Sequence, residues 1–334
     1  MLKGSVVLIA LLLPSLVRAD AADPQLLVPA PYIDEWAQSG APTRPAALAP
    51  EASPSRLAFS EPDSEVAARQ GKLRLRSQAA LVLQLDEGQL LYAKNTDAIM
   101  PIASITKLMT AIVVLDSGLP LDEPISIEAA DVDTLKGTRS RLKVGMTLSR
   151  HELLKLALMA SENRAAAALA RSFPSGPRAF VMAMNQKARD LGMRDTRFLD
   201  ATGLNPGNVS TAQDLAMLVN AGYQYPLIRE FTTSESHRIA LTGERYHRVV
   251  AFRNSNGLVR NRQWEIGLSK TGYISEAGRC LVMQATIAAK PLIIVLLDSW
   301  GKLSRLGDAN RIRRWVESLD SGSAVVRVRK GRAG

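Results

Sequence analysis

The chain has 334 residues, enough for one large domain or two ordinary ones, and its 46% apolar and 22% charged residues exclude a largely disordered protein. Its net charge of +10 suits an anionic partner, yet the basic residues are not interleaved with aromatics and no nucleic-acid signature appears, which favours an acidic extracytoplasmic polymer. A single cysteine, Cys280, excludes an intrachain disulfide, and His151, His237 and His247 have no metal-ligand spacing, so no metal and no other cofactor is expected.

Lys3 precedes an apolar run from Val6 to Leu13, followed by Pro14 and small residues around Ala19-Asp20-Ala21. This is the plan of a secretory signal peptide over residues 1–21, cleaved within Ala19–Ala22, and the run is too short to span a bilayer. Export is therefore expected. Residues 20–72 then hold eight of the seventeen prolines, and eight acids against four bases. Such a stretch buries too little apolar surface to offset chain entropy, so residues 22–72 read as an extended, largely disordered linker. It is either a passive spacer or a site that recruits other proteins.

Order is expected from 73 to 320. Ala79–Leu85, the turn Asp86-Glu87-Gly88 and Gln89–Tyr92 predict a β-hairpin. After it comes Pro101-Ile102-Ala103-Ser104-Ile105-Thr106-Lys107-Leu108-Met109-Thr110, continued by an apolar run to Leu115 that Gly118 and Pro120 stop. This reads as a helix with Ser104 and Lys107 in its first turn, on one face. A serine hydroxyl is a weak nucleophile until a base takes its proton, and a lysine can be that base when its pKa is depressed. The motif is short enough to arise by chance, and it recurs at Ser299-Trp300-Gly301-Lys302.

The segment from Asp122 to Gly145 is polar, with small strands at most. Ser149-Arg150-His151-Glu152 is a capping box that opens a helix through Met159. Ser161-Glu162-Asn163 interrupts the pattern, and an alanine-rich helix resumes at Arg164. An amphipathic helix is predicted over Ala179–Leu191, ending at Gly192, and another over Ala212–Asn220, capped by Ser210-Thr211. Strands return at Ile266–Gly272, Cys280–Ala288 and Pro291–Leu297, with Cys280 a buried structural thiol. A last helix over Arg305–Leu319 leaves residues 321–334 as a basic tail with Arg327, Arg329, Lys330 and Arg332. Two strands at the front, helices between and three strands at the end predict an α+β fold, an antiparallel sheet joined from both ends with helices on its faces.

Three short motifs stand in order on these elements. They are Ser104-Ile105-Thr106-Lys107 at a helix start, Ser161-Glu162-Asn163 at a break between helices, and Lys270-Thr271-Gly272 on a late strand, with spacings of 57 and 109 residues. Each alone is weak. The second S-x-x-K at Ser299 has no such company downstream. Together the three resemble the penicillin-recognising serine enzymes, marked by S-x-x-K, S-x-N and K-T-G. Within that superfamily the chain is most similar to the D-alanyl-D-alanine peptidases of family S11, the low-molecular-mass penicillin-binding proteins. The similar stretches are Met100–Thr110, Leu158–Ala166, Ala201–Leu204, Asn208–Ala212 and Lys270–Gly272, so the likeness covers roughly residues 78–319.

That resemblance implies a β-lactamase/transpeptidase-like fold, a five-stranded antiparallel sheet with flanking helices and an all-helical region. It also implies the roles. Ser104 attacks a carbonyl and is acylated, while Lys107, kept partly neutral by burial and the cation of Lys270, takes its proton. Ser161 relays a proton to the departing amine, and Asn163 orients the lysines or the substrate amide. Lys270 and Thr271 hold the substrate carboxylate, Gly272 permits close approach of the strand, and backbone N–H groups of Ser104 and Tyr273 form the oxyanion hole. Arg305 is a further carboxylate-binding candidate. Peptidoglycan is the implied partner and β-lactams are the implied covalent inhibitors.

Only 62 residues follow Gly272. Carboxypeptidases of the family append a β-rich domain and an amphipathic anchor, and the basic tail here lacks an apolar face. This length, with the Ser-Glu-Asn variant, resembles the D-alanyl-D-alanine endopeptidase group, the penicillin-binding protein 7/8 type, which cleaves the D-alanyl–diaminopimelyl cross-link. The rivals are a DD-carboxypeptidase and a non-catalytic peptidoglycan-binding protein. A β-lactamase lacks support, because no glutamate is placed to activate a deacylating water, although Asp200 lies in the corresponding region. The basic surface is left to face either murein or membrane.

Overall fold

Strand β1 (Ser77–Gln84) is buried at every position but Gln78 and apolar from Ala79 to Leu83, because both of its faces are covered. Ala79, Leu81 and Leu83 enter one buried cluster while Ala80 and Val82 enter another on the opposite side. The computed structural model describes residues 73–243 and 246–330, together with 50, 51, 57, 59, 60 and 66. The expected leader over 1–21 lies outside the described residues, as does most of the linker over 22–72. Where the linker is described, it is not free of the domain. Glu51 pairs with Arg229, Ser60 bridges to Gln89, and Val66 is buried. Leu57 and Phe59 pack against the core, so these side chains supply the apolar anchors that composition alone understated.

β1 pairs with β2 (Gln89–Lys94) as the predicted hairpin, and across its other edge with β11 (Lys290–Ser299). β11 pairs with β10 (Gly278–Ile287), and β10 with β9 (Glu265–Ile274), all antiparallel. The order β2-β1-β11-β10-β9 closes the chain's two ends into one sheet and leaves β9 as an outer strand. Small two-stranded pairs join β3 (Met100–Pro101) to β6 (Val209–Ser210) and β4 (Pro124–Ser126) to β5 (Thr147–Ser149).

On one face of the sheet lies α1 (Thr106–Asp116), buried all round from Thr106 to Leu115, the mark of a central helix. Around it pack α2 (Arg150–Met159), α3 (Asn163–Arg171), α4 (Gly176–Asp190), α5 (Ala212–Tyr223) and α6 (Pro226–Thr233). The caps are as expected. Ser149 and Glu152 form the capping box of α2, and the Thr211 hydroxyl accepts from the N–H of Asp214 at the start of α5. Each such cap contributes about 1 kcal/mol. Cys280 is fully buried, and burial pushes its thiol up to about 11.

The other face is covered by α7 (Ser304–Lys330). This helix was expected to stop at Leu319, but its backbone stays helical to Lys330, taking in the first part of the basic tail. No proline interrupts it, and each further residue adds a hydrogen bond to a helix already nucleated. The hairpin of β7 (Ser236–Gly243) and β8 (Tyr246–Arg253) was not foreseen. Its apolar alternation is thin: Ile239 and Phe252 are buried, while basic residues are scattered through both strands.

Candidate active site

The Ser104 turn is built by a short 3₁₀ segment, Ala103–Ile105, that runs directly into α1. Ala103 holds φ +47, a left-handed conformation uncommon for a residue with a side chain. The turn is fixed from outside by the loop 200–208. Thr110 donates to the carbonyl of Ala201 at 2.7 Å, the Asn208 amide donates to Thr106 Oγ1 at 3.0 Å, and the Ile102 N–H donates to the carbonyl of Asn208 at 3.0 Å. Gly203, at φ +79, lies so close that an added Cβ would sit 1.9 Å from the Ala103 carbonyl oxygen. Only glycine satisfies both demands.

Lys107 has no exposed surface. Its Nζ lies 2.9 Å from Ser104 Oγ, 2.7 Å from Asn163 Oδ1 and 2.6 Å from the carbonyl oxygen of Thr202. Burial pushes its pKa down from 10.5 to about 7, against the pull of Asp200 and Glu162 in the other direction. A neutral amine keeps two N–H donors and one lone pair. Asn163 and Thr202 can take the two donors, which leaves the lone pair for the Ser104 hydroxyl. That is the geometry of a general base on its nucleophile.

Ser161 sits between α2 and α3 at φ +61, so both motif turns carry a left-handed side-chain residue, a form of strain that gathers at functional sites. Lys270, on β9, is also fully buried and donates to Ser161 Oγ at 2.9 Å and to the Thr271 carbonyl at 3.1 Å. Its pKa is pushed well below normal by burial, then by the charges of Lys107 and Arg305. Burial is the first cause of both shifts, as expected for Lys107, and the charge of either lysine disfavours the charge of the other.

Thr271 Oγ1 donates to Ser255 Oγ at 2.8 Å. At Gly272 an added Cβ would meet the Ile102 carbonyl at 2.9 Å and the Ser104 nitrogen at 3.2 Å, so β9 passes directly beside the Ser104 turn. Tyr273 is exposed next to it, stacked on Arg279. Because β9 is an outer strand, half of its backbone N–H groups face the cleft and not a neighbouring strand. Arg305, from α7, is mostly buried, donates from Nη1 to the Gly272 carbonyl at 3.2 Å, and keeps an Nε without a partner among the described residues. The structure thus brings all nine predicted residues together around the Ser104 turn.

Asp200 does not face the cleft as a water-activating acid would. Oδ1 accepts from the N–H of Thr202 and Gly203 and from Thr202 Oγ1, and Oδ2 accepts from the N–H of Asn205, so it holds the loop. The second S-x-x-K is inert: Ser299 is buried against Ser77 while Lys302 is exposed. Sequence reasoning missed two contributors, the Thr202 carbonyl and Ser255. Only the first had a signal, the glycine that follows Thr202.

A serine–lysine pair backed by a second serine–lysine pair, at the edge of a five-stranded antiparallel sheet, defines the penicillin-recognising class of serine acyl-transfer enzymes. A family model described as D-alanyl-D-alanine carboxypeptidase, peptidase S11, matches residues 65–301, and the chain belongs to this family of serine peptidases. It is 50% identical over 244 residues to a D-alanyl-D-alanine endopeptidase of Pseudomonas aeruginosa, covering 73% of this chain and 78% of that one. With the same coverage it is 45% identical to a D-alanyl-D-alanine endopeptidase of Escherichia coli. Among solved structures, the Streptomyces K15 DD-transpeptidase matches with a TM-score of 0.68 at 28% identity, over 72% of this chain and 97% of that one. Penicillin-binding protein D2 from Listeria monocytogenes, in its ampicillin-bound form, matches with a TM-score of 0.62 at 30% identity, over 73% and 98%.

Proposed function

We propose that this protein is a serine DD-endopeptidase that hydrolyses D-alanyl cross-links of peptidoglycan. The observation that carries the chemistry is the fully buried Lys107 amine 2.9 Å from Ser104 Oγ. The endopeptidase assignment is supported by the two relatives so named, at 50% and 45% identity. Ser104 Oγ attacks the carbonyl carbon of the D-alanyl residue, and its proton passes to Lys107. The oxygen that gains charge is met by the backbone N–H groups of Ser104 and Tyr273, the kind of stabilisation that dominates acyl transfer. Ser161, hydrogen-bonded to Lys270, delivers a proton to the departing amine as the C–N bond breaks. Lys107 passes the proton it took back to Ser161 and is neutral again. Water then attacks the ester carbon as Lys107 takes one of its protons. That proton goes to Ser104 Oγ as the acyl–oxygen bond breaks.

The carboxylate of the leaving residue lies toward Lys270, Thr271 and Arg305. Its arrival favours the charged form of Lys270, and that charge in turn holds Lys107 neutral, so substrate binding primes the base. Export to the periplasm is part of this proposal, supported by the leader-like residues 1–21 and by a substrate that lies outside the cytoplasm. β-Lactams would trap the same serine as a stable ester.

The family description favours a second reading, a DD-carboxypeptidase releasing terminal D-alanine. Digestion of purified cross-linked and uncross-linked muropeptides separates the two. Loss of dimers is expected; free D-alanine with dimers untouched would establish the carboxypeptidase instead. Binding of murein with neither turnover nor a penicillin adduct would leave a non-catalytic protein.

A further inference from the structure

The loop 133–140 runs beside the Ser161-Glu162-Asn163 turn, and the machinery described so far does not use it. Ser140 Oγ donates to Glu162 Oε2 at 2.6 Å, and Lys136 forms an ion pair with Glu276 in the turn between β9 and β10. The loop therefore bridges the S-x-N side of the cleft to the K-T-G side. Its internal organiser is Asp133. Oδ1 accepts the N–H of Leu135 at 2.8 Å and of Lys136 at 2.9 Å, while Oδ2 accepts the N–H of Thr138 at 2.8 Å and its hydroxyl at 2.6 Å. Thr138 Oγ1 also lies 2.9 Å from Asn163 Nδ2.

The directions of these bonds are forced in sequence. Partial burial favours a protonated Asp133, but the Thr138 hydroxyl and three backbone N–H groups outweigh it and lower the pKa, so the carboxylate only accepts. Thr138 must then donate its hydrogen to Asp133, which leaves its lone pairs facing Asn163. The amide of Asn163 has two nearly isosteric orientations, and only one puts its NH₂ on that acceptor. In that orientation Oδ1 faces Lys107 at 2.7 Å. The flipped amide would present N–H donors to Lys107, and the neutral amine would turn its lone pair to Asn163 and away from Ser104.

We propose that Thr138, its proton fixed by Asp133, is a positioning residue that locks the Asn163 carbonyl toward Lys107 and so aims the base at Ser104. This rests on the acylation reading of Ser104 given above. The test is the acylation rate with labelled penicillin in the full chain, for Thr138→Val, Thr138→Ser and Asp133→Asn. Thr138→Val keeps the shape and removes the hydroxyl. It should slow acylation about fivefold, the effect of one ordinary hydrogen bond, with the saturation constant and melting temperature unchanged. Thr138→Ser should restore the rate to within about twofold.

Asp133→Asn should slow acylation as the valine variant does, because an amide can donate to Thr138 and release its direction. It decides the matter if the valine variant fails to fold. An unchanged rate in Thr138→Val, a serine variant as slow as the valine one, or an unchanged rate in Asp133→Asn overturns the proposal alone. No adduct in the unsubstituted protein overturns the acylation reading and this proposal with it.

Discussion

Replacing Lys107 by methionine removes the base and keeps most of the volume, and its effect on stability can be worked from the structure. Burial shifts the amine from 10.5 to about 7, a difference of about 5 kcal/mol between the folded state's tolerance of the charged and neutral forms. The folded pKa lies below the unfolded one, so between about pH 7 and 10.5 the unfolded chain binds more protons. Across that window the unsubstituted protein gains about 1.4 kcal/mol of stability per pH unit from this group, and below pH 7 it gains none. Lys107→Met lacks that contribution.

At pH 7 the variant escapes the burial penalty. It also leaves Asn163 Oδ1 and the Thr202 carbonyl bare, at about 1–3 kcal/mol each, so the two proteins should be close in stability there. The slope decides. Urea denaturation at pH 7, 8 and 9 should show the stability of the unsubstituted protein relative to Lys107→Met rising by about 1.4 kcal/mol per unit. A difference that stays constant from pH 7 to 9 would show that Lys107 carries an ordinary pKa, and the base assignment would fall with it.

The same shift predicts that penicillin acylation falls about tenfold per unit as the pH drops below about 7, where Lys107 is protonated, and levels off above it; a stopped-flow profile flat from pH 5.5 to 8 would oppose this. Gly203→Ala forces a Cβ to within 1.9 Å of the Ala103 carbonyl at a left-handed φ, and should lower the melting temperature and cut the acylation rate at least about tenfold by displacing the Ser104 turn. Asp308, fully buried on α7, accepts the N–H of Arg76 and Ser77 and the Ser77 hydroxyl. Asp308→Ala should therefore destabilise the protein by about 2–5 kcal/mol in urea denaturation, and a change under 1 kcal/mol would show that α7 is held by apolar packing alone.

The sheet was legible because its inner strands β1, β10 and β11 are long and largely apolar on both faces. The hairpin β7–β8 was not, since it covers the core with only a few side chains while Arg238 and Arg248 break the pattern. Ser104, Lys107, Ser161 and Lys270 could be read together because their spacing carries a known motif set, and no single triplet would have sufficed. Their electrostatics could not be read. How deeply both lysines are buried, and how near they lie to one another, depends on how β9 passes the Ser104 turn, a contact between residues 168 positions apart. The Asp133–Thr138 link to Asn163 left no trace, because a polar loop held by side-chain hydrogen bonds has no period. The linker was misjudged in part for the opposite reason: three apolar side chains, Leu57, Phe59 and Val66, are too few to move a composition and enough to dock a segment.

The central claim is that Ser104 is the acylated nucleophile, activated by Lys107. Incubation with a labelled penicillin, proteolysis and mass spectrometry should place one adduct on the peptide that contains Ser104, with no adduct in Ser104→Ala. An undiminished adduct in Ser104→Ala, or a label on any other residue, would contradict the account.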